Sequence, residues 1–372
     1  MTPRITVLLA VYNGEPYVRS AVASVLAQTY RDFEFLIVDD ASTDSTVATI
    51  ESFGDDRIRL LRNETNIGQV PSLNRGLREA RGDIVARIDA DDVSRPTRLE
   101  RQLAVLDAEP RVALVGSWMA LVDERGRRVG SLQKILTDYV DFVFHTLIMR
   151  VWVSHPAAAY RREPVVALGG YDDATGPSED KDLWRKLALE RWDARIVPEE
   201  LVEYRLHDAQ LSQTRAAYQR DVDARSQDGF LAALAPGTPV ESARMLLADD
   251  PALWQTTLDF ASLDAILAGA DGRLGLHAAQ RARLRALVGE WLMRVAAGRP
   301  WTWQARAIAA YALSLMSGDD RLRTSFAAVP RAVAAPGRLA LAAGARRALA
   351  TAPPLRRWQA ARRLYAKLLG GG

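Results

Sequence analysis

ITVLLAVYNGEPYVRSAVASVLAQTYRDFEFLIVDD, residues 5–40, decides how this chain folds. Ile5 to Ala10 is a continuous apolar run, the pattern of a strand buried on both faces. From Pro16, which a first helical turn tolerates, apolar residues recur at helical spacing as Val18, Ala21, Val22, Val25 and Leu26. Phe33 to Val38 is a second buried strand and ends on Asp39-Asp40. The alternation continues downstream. A helix follows the N-capping residues Ser42-Thr43-Asp44, then come a strand at Arg57 to Leu61 and a helix at Val70 to Ala80. A fourth strand, Asp83 to Ile88, ends in Asp89-Ala90-Asp91-Asp92; a helix follows Pro96, and Val112 to Gly116 is a fifth strand. Strand and helix alternating at this spacing predict an α/β fold, a mostly parallel sheet wound by helices.

From about 137 the pieces shorten. A helix near Tyr139 to Leu147, a strand at Ala157 to Tyr160 and the turn Gly169-Gly170-Tyr171 precede a helix from Glu179 to Glu190. Strands at Arg195 to Val197 and Leu201 to Leu206 close this part. Beyond 213 the strand signals cease, leaving helical patterns broken by Pro236, Gly237, Gly269, Gly272, Gly298, Pro300 and Gly318. The expected organisation is a sheet-containing domain over 1–212 and a C-terminal helical region over 213–372. No repeat or low-complexity linker marks the boundary.

The 372 residues include no cysteine, which excludes a disulfide framework, a thiol nucleophile and a thiolate metal site. No apolar run approaches the ~20 residues of a membrane span. The start, MTPRITVLLAVYNGEPY, carries too short an apolar stretch and no cleavage site for a signal peptide. A cytoplasmic protein is expected. The net charge of +3 hides an asymmetry: residues 321–372 hold eleven Lys/Arg and no acid, leaving 38 basic against 46 acidic residues, net −8, over 1–320. Within that tail, Leu355 to Leu369 can form a helix setting Trp358, Leu364, Tyr365 and Leu368 against a basic face. The pattern fits an interfacial helix drawn to anionic lipid on the inner face of a membrane, and equally a solvated helix or a basic tail. Nucleic acid is not an expected partner, because the body is acidic and no recognition fold is visible.

In an open parallel sheet, ligands bind beyond the carboxyl ends of the strands. Polar clusters fall there four times, at Tyr12-Asn13-Gly14-Glu15, Asp39-Asp40, Asn63 to Gly68 and Asp89-Ala90-Asp91-Asp92. One such cluster is ordinary turn or capping chemistry; four along one edge describe a site. Asp89 and Asp91, two apart on extended backbone, point to the same side. Their carboxylates repel unless a cation or protons neutralise them, and carboxylate oxygens suit Mg²⁺ or Mn²⁺, ions that in turn suit diphosphate. A solvated acidic loop is the plain alternative. GxxxxGK[ST] and a GxGxxG after the first strand are both absent, against a P-loop enzyme and a dinucleotide oxidoreductase.

LLAVYNGEPYVRSAVASVLAQTYRDFEFLIVDDASTDST at 8–46 and NIGQVPSLNRGLREARGDIVARIDADD at 66–92 resemble the family 2 glycosyltransferases of GT-A fold. Further matches are RPTRLERQ at 95–102, His155-Pro156, Gly169-Gly170-Tyr171, Ser178-Glu179-Asp180 with Leu183-Trp184, and Tyr204-Arg205-Leu206-His207, all within about 4–213. The resemblance implies a GT-A, Rossmann-like domain. It also implies transfer of a sugar from a nucleotide-diphosphate donor, UDP most commonly, with TDP or GDP as other options. The acceptor would be a hydroxyl of a saccharide or lipid-linked saccharide.

On the same resemblance, Ala10, Tyr12, Asn13, Glu15, Asp39 and Asp40 hold base and ribose, Asp40 being first choice for the base. Many relatives carry proline where this chain has Ala10, a departure expected to alter loop rigidity more than chemistry. Asp89, Ala90 and Asp91 bind ribose and a metal, Mn²⁺ or Mg²⁺, with Asp91 the leading ligand. His207 completes the metal set in some relatives and is otherwise a surface histidine. Asp92 points the other way on a strand and faces the donor sugar on the acceptor side. Asn66 and Gly68 shape the loop over the donor, or are ordinary turn residues. Arg87 pairs with the acids or with phosphate, or forms a structural salt bridge. Glu179-Asp180 matches the catalytic acid motif. An acceptor hydroxyl needs a base, and Asp180 would take its proton as the oxygen attacks the anomeric carbon opposite the nucleotide, giving inversion through an oxocarbenium-like transition state. Metal would neutralise the departing diphosphate. Acids at a helix start also simply suit its dipole. His155 lies where relatives form the acceptor pocket, yet it and Trp184 read as structural, core or pocket wall. Two other classes compete. A sugar nucleotidyltransferase would show a glycine-rich, basic N-terminal signature that is missing. A non-catalytic nucleotide-sugar binder or membrane adaptor would have broken acid motifs, whereas Asp89, Asp91 and Asp180 are intact.

Overall fold

The structure, a computed structural model, describes residues 2–15, 17–150, 153–207, 210, 216–249, 258–297 and 303–318. It begins with β1 (Ile5–Val11), α1 (Val18–Leu26), β2 (Phe33–Asp39), α2 (Thr46–Glu51), β3 (Ile58–Arg62), α3 (Gln69–Glu79) and β4 (Ile84–Arg87). These strands pair in parallel as β3-β2-β1-β4. Every residue of β2 and β4 is buried, which is why both strands are mainly apolar without alternation, with the charged Glu34, Asp39 and Arg87 buried among them: helices cover both faces.

There follow β5 (Val93–Ser94), α4 (Arg98–Ala108), β6 (Val112–Val122), β7 (Arg128–Leu132), α5 (Tyr139–Leu147), β8 (Ala159–Arg161), α6 (Arg162–Ala167), α7 (Glu179–Leu189) and β9 (Asp193–Arg205). The sheet orders as β3-β2-β1-β4-β8-β6-β9-β5, with β7 antiparallel on β6. Short β8 runs antiparallel between β4 and β6, and β6 and β9 are parallel, so the expected mostly parallel sheet carries antiparallel insertions. A single apolar core joins β1, β2 and β4 to α1 and α4 through residues such as Leu9, Val22, Phe35, Ile37 and Leu106.

The last two expected strands are one, β9. Val197 pairs with Ser117 and Glu200 with Trp118, so Pro198 and Glu199 bulge out of an otherwise continuous ladder. A proline has no N–H to give a ladder and is tolerated at such a bulge. RPTRLERQ proves architectural. Arg98, 1% exposed, donates through Nη2 to the carbonyls of Arg87 (2.6 Å) and Ala158 (3.2 Å), and through Nε to Gln102 Oε1 (3.0 Å). Gln102 Nε2 donates onward to Ala157 O (2.7 Å). This buried pair ties α4 to the strand ends that carry the acid motif.

Helices α8 (Ala216–Leu234), α9 (Glu241–Ala248), α10 (Phe260–Arg273), α11 (Ala278–Ala297) and α12 (Trp303–Ser317) complete the described chain. The chain forms two compact units, Met1–Arg285 and Ala286–Gly372, and the change from strand to helix near 213 falls inside the first. Within that unit α8 packs on α7, and α9 and α10 on α8. The amphipathic stretch 355–369 lies outside the described residues. Among the described residues no helix is long and apolar enough to cross a membrane.

Candidate active site

A cleft of about 1230 Å³ opens over the carboxyl ends of β1, β2 and β4 and the start of α7. Its floor on one side is two loops zipped together. Asn13, in the left-handed region at φ 52°, donates its N–H to Ser42 Oγ (2.9 Å) and accepts the Thr43 N–H at Oδ1 (2.9 Å). The Gly14 N–H donates to Thr46 Oγ1 (2.8 Å) and that of Glu15 to Asp44 Oδ2 (3.2 Å). A Cβ on Gly14 would stand 2.6 Å from Val11 Cγ2, so glycine is required for this closeness. Ala10, Tyr12, Asn13 and Glu15 line the cleft, and the Tyr12 ring is 49% exposed.

The aspartate pair after β2 divides its work. Asp40 lines the cleft, but its oxygens accept from Asn63 Nδ2 (2.6 Å), Ile67 N–H (2.9 Å) and Gly68 N–H (2.8 Å). It anchors the loop that brings Asn66 and Gly68 to the cleft wall. Asp39 is fully buried off the cleft, with Oδ2 accepting from the Ser42 N–H (3.2 Å) and Oδ1 unpartnered. As drawn from sequence, Asp40 reads base; here most of its hydrogen-bonding capacity is spent on its own loop.

The acid motif does not continue a strand. β4 stops at Arg87, and the Asp92 N–H donates back to Asp89 O (3.3 Å), so the chain turns and strand alternation does not govern these side chains. One ligand atom from each of Asp89, Asp91 and Asp92 nevertheless lies within 4.8 Å of the others. Asp89 and Asp91, with Ala90, face the cleft. Asp92 does not turn to the acceptor side: it is buried behind the motif, Oδ1 accepting from the Arg205 N–H (2.9 Å) and Oδ2 unpartnered. Burial, with repulsion from Asp91 and Asp89, pushes the Asp92 carboxyl well above its usual range; burial first, then Asp91, raises that of Asp89 against the pull of Arg87. Arg87 is fully buried beneath the cleft, donating through Nη2 to Asp89 Oδ1 (2.5 Å) and through Nη1 to Ile88 O.

The far end of β9 closes the cluster. Arg205 Nε donates to Asp91 O (2.9 Å), and His207 Nε2 sits 2.8 Å from Asp91 Oδ2. The His207 ring packs at 5.2 Å on Tyr17, over which the Arg205 guanidinium lies at 4.8 Å. His207 is therefore tied to Asp91 at the edge of the acid cluster and is not a loose surface histidine.

Across the cleft α7 begins with Glu179 and Asp180, both lining it. Glu179 is 5% exposed, and burial followed by the charge of Asp180 lifts its carboxyl to about 7. Burial also raises Asp180, against the pull of Lys181, whose backbone N–H donates to Asp180 Oδ1 (2.8 Å). His155 also lines the cleft, with Nδ1 3.7 Å from Glu179 Oε1 and Nε2 3.0 Å from the Tyr171 hydroxyl, which in turn meets Tyr160 Oη at 2.9 Å. Burial, and after it the charge of Arg87, pushes the His155 imidazole well below its ordinary value. The Gly169-Gly170-Tyr171 turn is clamped by Asn74 of α3, which donates to Tyr171 O (2.7 Å) and accepts its N–H (2.9 Å). Gly170, at φ 76°, would bring a Cβ within 2.5 Å of Asn74 Oδ1. Trp184 is core, its Nε1 donating to Val153 O (3.1 Å), and does not reach the cleft.

The structure thus brings both acid motifs to one cleft and leaves Asp39, Arg87, Asp92 and Trp184 behind its walls. It adds residues that carried no motif: Lys134 beyond β7, Lys181, and Tyr218 and Gln219 from α8. Only Lys181, next to the Glu-Asp pair, had a signal in its neighbours.

A family model described as glycosyl transferase family 2 matches residues 6–167. The putative glycosyltransferase EpsE of Bacillus subtilis (strain 168) is 34% identical over 214 residues, covering 55% of this chain and 73% of that protein. The O-antigen biosynthesis glycosyltransferase WbnJ of Escherichia coli is 29% identical over 222 residues, 58% of this chain and 84% of that protein. Among solved structures, S. aureus TarS 1-349 in complex with UDP-GlcNAc matches with a TM-score of 0.53 at 16% identity, over 87% of this chain and 91% of that one, a likeness of fold.

Proposed function

This chain belongs to family 2 of the glycosyltransferases, and from that premise we propose that it moves a sugar from a nucleoside-diphosphate donor, UDP-linked first, to a hydroxyl of a saccharide or lipid-linked saccharide with inversion. The observation that carries this is the opening of Asp89, Asp91 and Asp180 onto one cleft. The donor fits the side lined by Tyr12 and the Asp40-anchored loop, where an exposed aromatic face offers a base a stacking surface.

The acid cluster suits a divalent cation. Its carboxylates crowd within 4.8 Å, and a buried oxygen of Asp92 has no partner, both of which a nearby positive charge would relieve. An oxygen-rich set with one imidazole suits Mn²⁺ or Mg²⁺. Asp89, Asp91 and His207 would hold it, and its contribution is to neutralise charge gathering on the departing diphosphate. Asp180 accepts the acceptor hydroxyl's proton while that oxygen bonds to the anomeric carbon and the bond from that carbon to the diphosphate oxygen breaks. Burial favours this role by raising the carboxyl's proton affinity. The UDP-GlcNAc held by TarS and the part of WbnJ in O-antigen biosynthesis support a nucleotide-sugar donor and a saccharide acceptor. The basic tail supports a cytoplasmic enzyme resting on the inner face of a membrane.

A panel of nucleotide sugars incubated with the enzyme and Mn²⁺ tests this. Slow release of a nucleoside diphosphate from one donor, abolished by Asp180→Asn, is the expected result. Pyrophosphate release would reassign the chain to nucleotidyl transfer.

A further inference from the structure

Asp180 stands in the first turn of α7, and α8 closes on that helix through buried charges that the transfer step leaves unused. Asp223 of α8, 6% exposed, accepts at Oδ2 from Lys181 Nζ (2.7 Å) and at Oδ1 from the Arg185 guanidinium. Arg185, 1% exposed, also donates through Nε to Gln227 Oε1 (2.8 Å) and through Nη1 to Ser226 Oγ (3.0 Å). Gln227 Nε2 continues to Leu147 O (3.0 Å), and Ser226 Oγ donates to Asp182 Oδ1 (2.7 Å). Arg185 with Gln227 and Ser226 already joins the two helices. The second oxygen of Asp223 serves a different residue, a lysine at the cleft wall directly after the base.

We propose that Asp223 is a positioning residue for the base: by drawing the Lys181 ammonium onto α8 it keeps that cation off Asp180 and so keeps the carboxylate basic. The inference rests on reading Asp180 as the base. A cation within ~4–6 Å of a carboxylate favours its ionised form and lowers its pKa by about 1–3 units. A base so paired is a weaker one. Lys181 is the residue best placed to do this, since its N–H already donates to Asp180 Oδ1. The charged groups facing Asp180 are Glu179, Lys181 and Arg185 on its own helix, Lys134 beyond β7, and Asp223 from α8. Among them Lys181 pulls the carboxyl down most, and Asp223 opposes it.

Aspartate labelled with ¹³C at the side-chain carboxyl reads the result on the full chain without donor or acceptor, the Asp180→Asn spectrum identifying the resonance. Lys181→Met leaves the Arg185–Asp223 pair in place and should raise the Asp180 midpoint by about half to one pH unit. Asp223→Asn should lower it by a similar amount, and by less than half as much in the Lys181→Met background. An unmoved midpoint in Asp223→Asn overturns the proposal, as does an Asp223→Asn shift of equal size with and without Lys181. Should Asp223→Asn fail to fold because Arg185 loses its partner, the double variant Arg185→Met/Asp223→Asn removes both charges and decides in its place: against Arg185→Met alone, a midpoint lowered while Lys181 is present is the expected result, and an unmoved one overturns the proposal. Failure of the underlying reading appears separately, as wild-type nucleoside-diphosphate release by Asp180→Asn.

Discussion

Glu179→Gln should stabilise the folded protein in alkali and leave it unchanged in acid. Burial first, then the charge of Asp180, raises the Glu179 carboxyl from its ordinary 4.5 to about 7. Below the lower value the group is protonated whether the chain is folded or not, and it has no effect on stability. Between the two values the unfolded chain releases a proton that the folded chain retains, so stability falls as pH rises. Above about 7 both states are ionised and the cost is complete. A gap of about 2.5 units at 1.36 kcal/mol per unit sets that cost near 3 kcal/mol, as an upper figure. Glutamine keeps the shape and removes the charge. Urea unfolding of both proteins, with chelator present, at intervals from about pH 5 to about pH 9 should give a stability difference rising from near zero to about 3 kcal/mol, with equal slopes in urea. A difference that is constant across this range, or largest in acid, would falsify the account of Glu179 as a carboxyl destabilised by burial.

Asp180→Asn should cut transfer by about 10²–10⁴-fold while nucleoside diphosphate, measured by calorimetry, binds as to the wild type. On the proposed metal role, Asp91→Asn should weaken Mn²⁺-dependent donor binding by at least about 10-fold and leave any metal-independent binding intact, since it removes a carboxylate charge and the partner of His207. Asp40→Ala removes the acceptor of three hydrogen bonds in the 63–68 loop. We expect a loss of about 2–4 kcal/mol and faster hydrogen exchange at the Ile67 and Gly68 amides; unchanged protection there would show that the loop is held by something else.

The order of strands and helices up to Ala108, β5 apart, was readable because the buried strands are largely apolar runs and each helix carries its own spacing. Those signals are local. What escaped reading depends on partners far away in the chain. β5 is two residues long and exists only by pairing with β9, 108 to 110 residues on, as Val93 with Glu203 and Ser94 with Val202. β8 is antiparallel because of where the chain re-enters between β4 and β6, which three residues of sequence do not encode. Arg195–Val197 and Leu201–Leu206 read as two strands, and the bulge at Pro198-Glu199 that joins them into one shows only against β6. At the site the acid residues themselves were legible, but their division of labour was not. Asp40 and Asp39 look alike in sequence, as do Asp91 and Asp92, and what separates them is which neighbour's N–H each one meets. Arg98 and Gln102 belong to a motif whose meaning is a buried bracket between α4 and two strand ends, a role that needs coordinates to see.

The pairing of Asp91 with His207 joins residues 116 apart in the chain. During synthesis at ~5–20 residues per second, roughly 6–23 s pass between the appearance of one and of the other. A nascent chain that has made its first four strands carries an acidic turn with no imidazole beside it, and it lacks α7 altogether. Translation therefore delivers the acidic turn well before α7 and the imidazole that meets it, so that a product stalled between them holds the parallel half of the sheet with only one side of the candidate site.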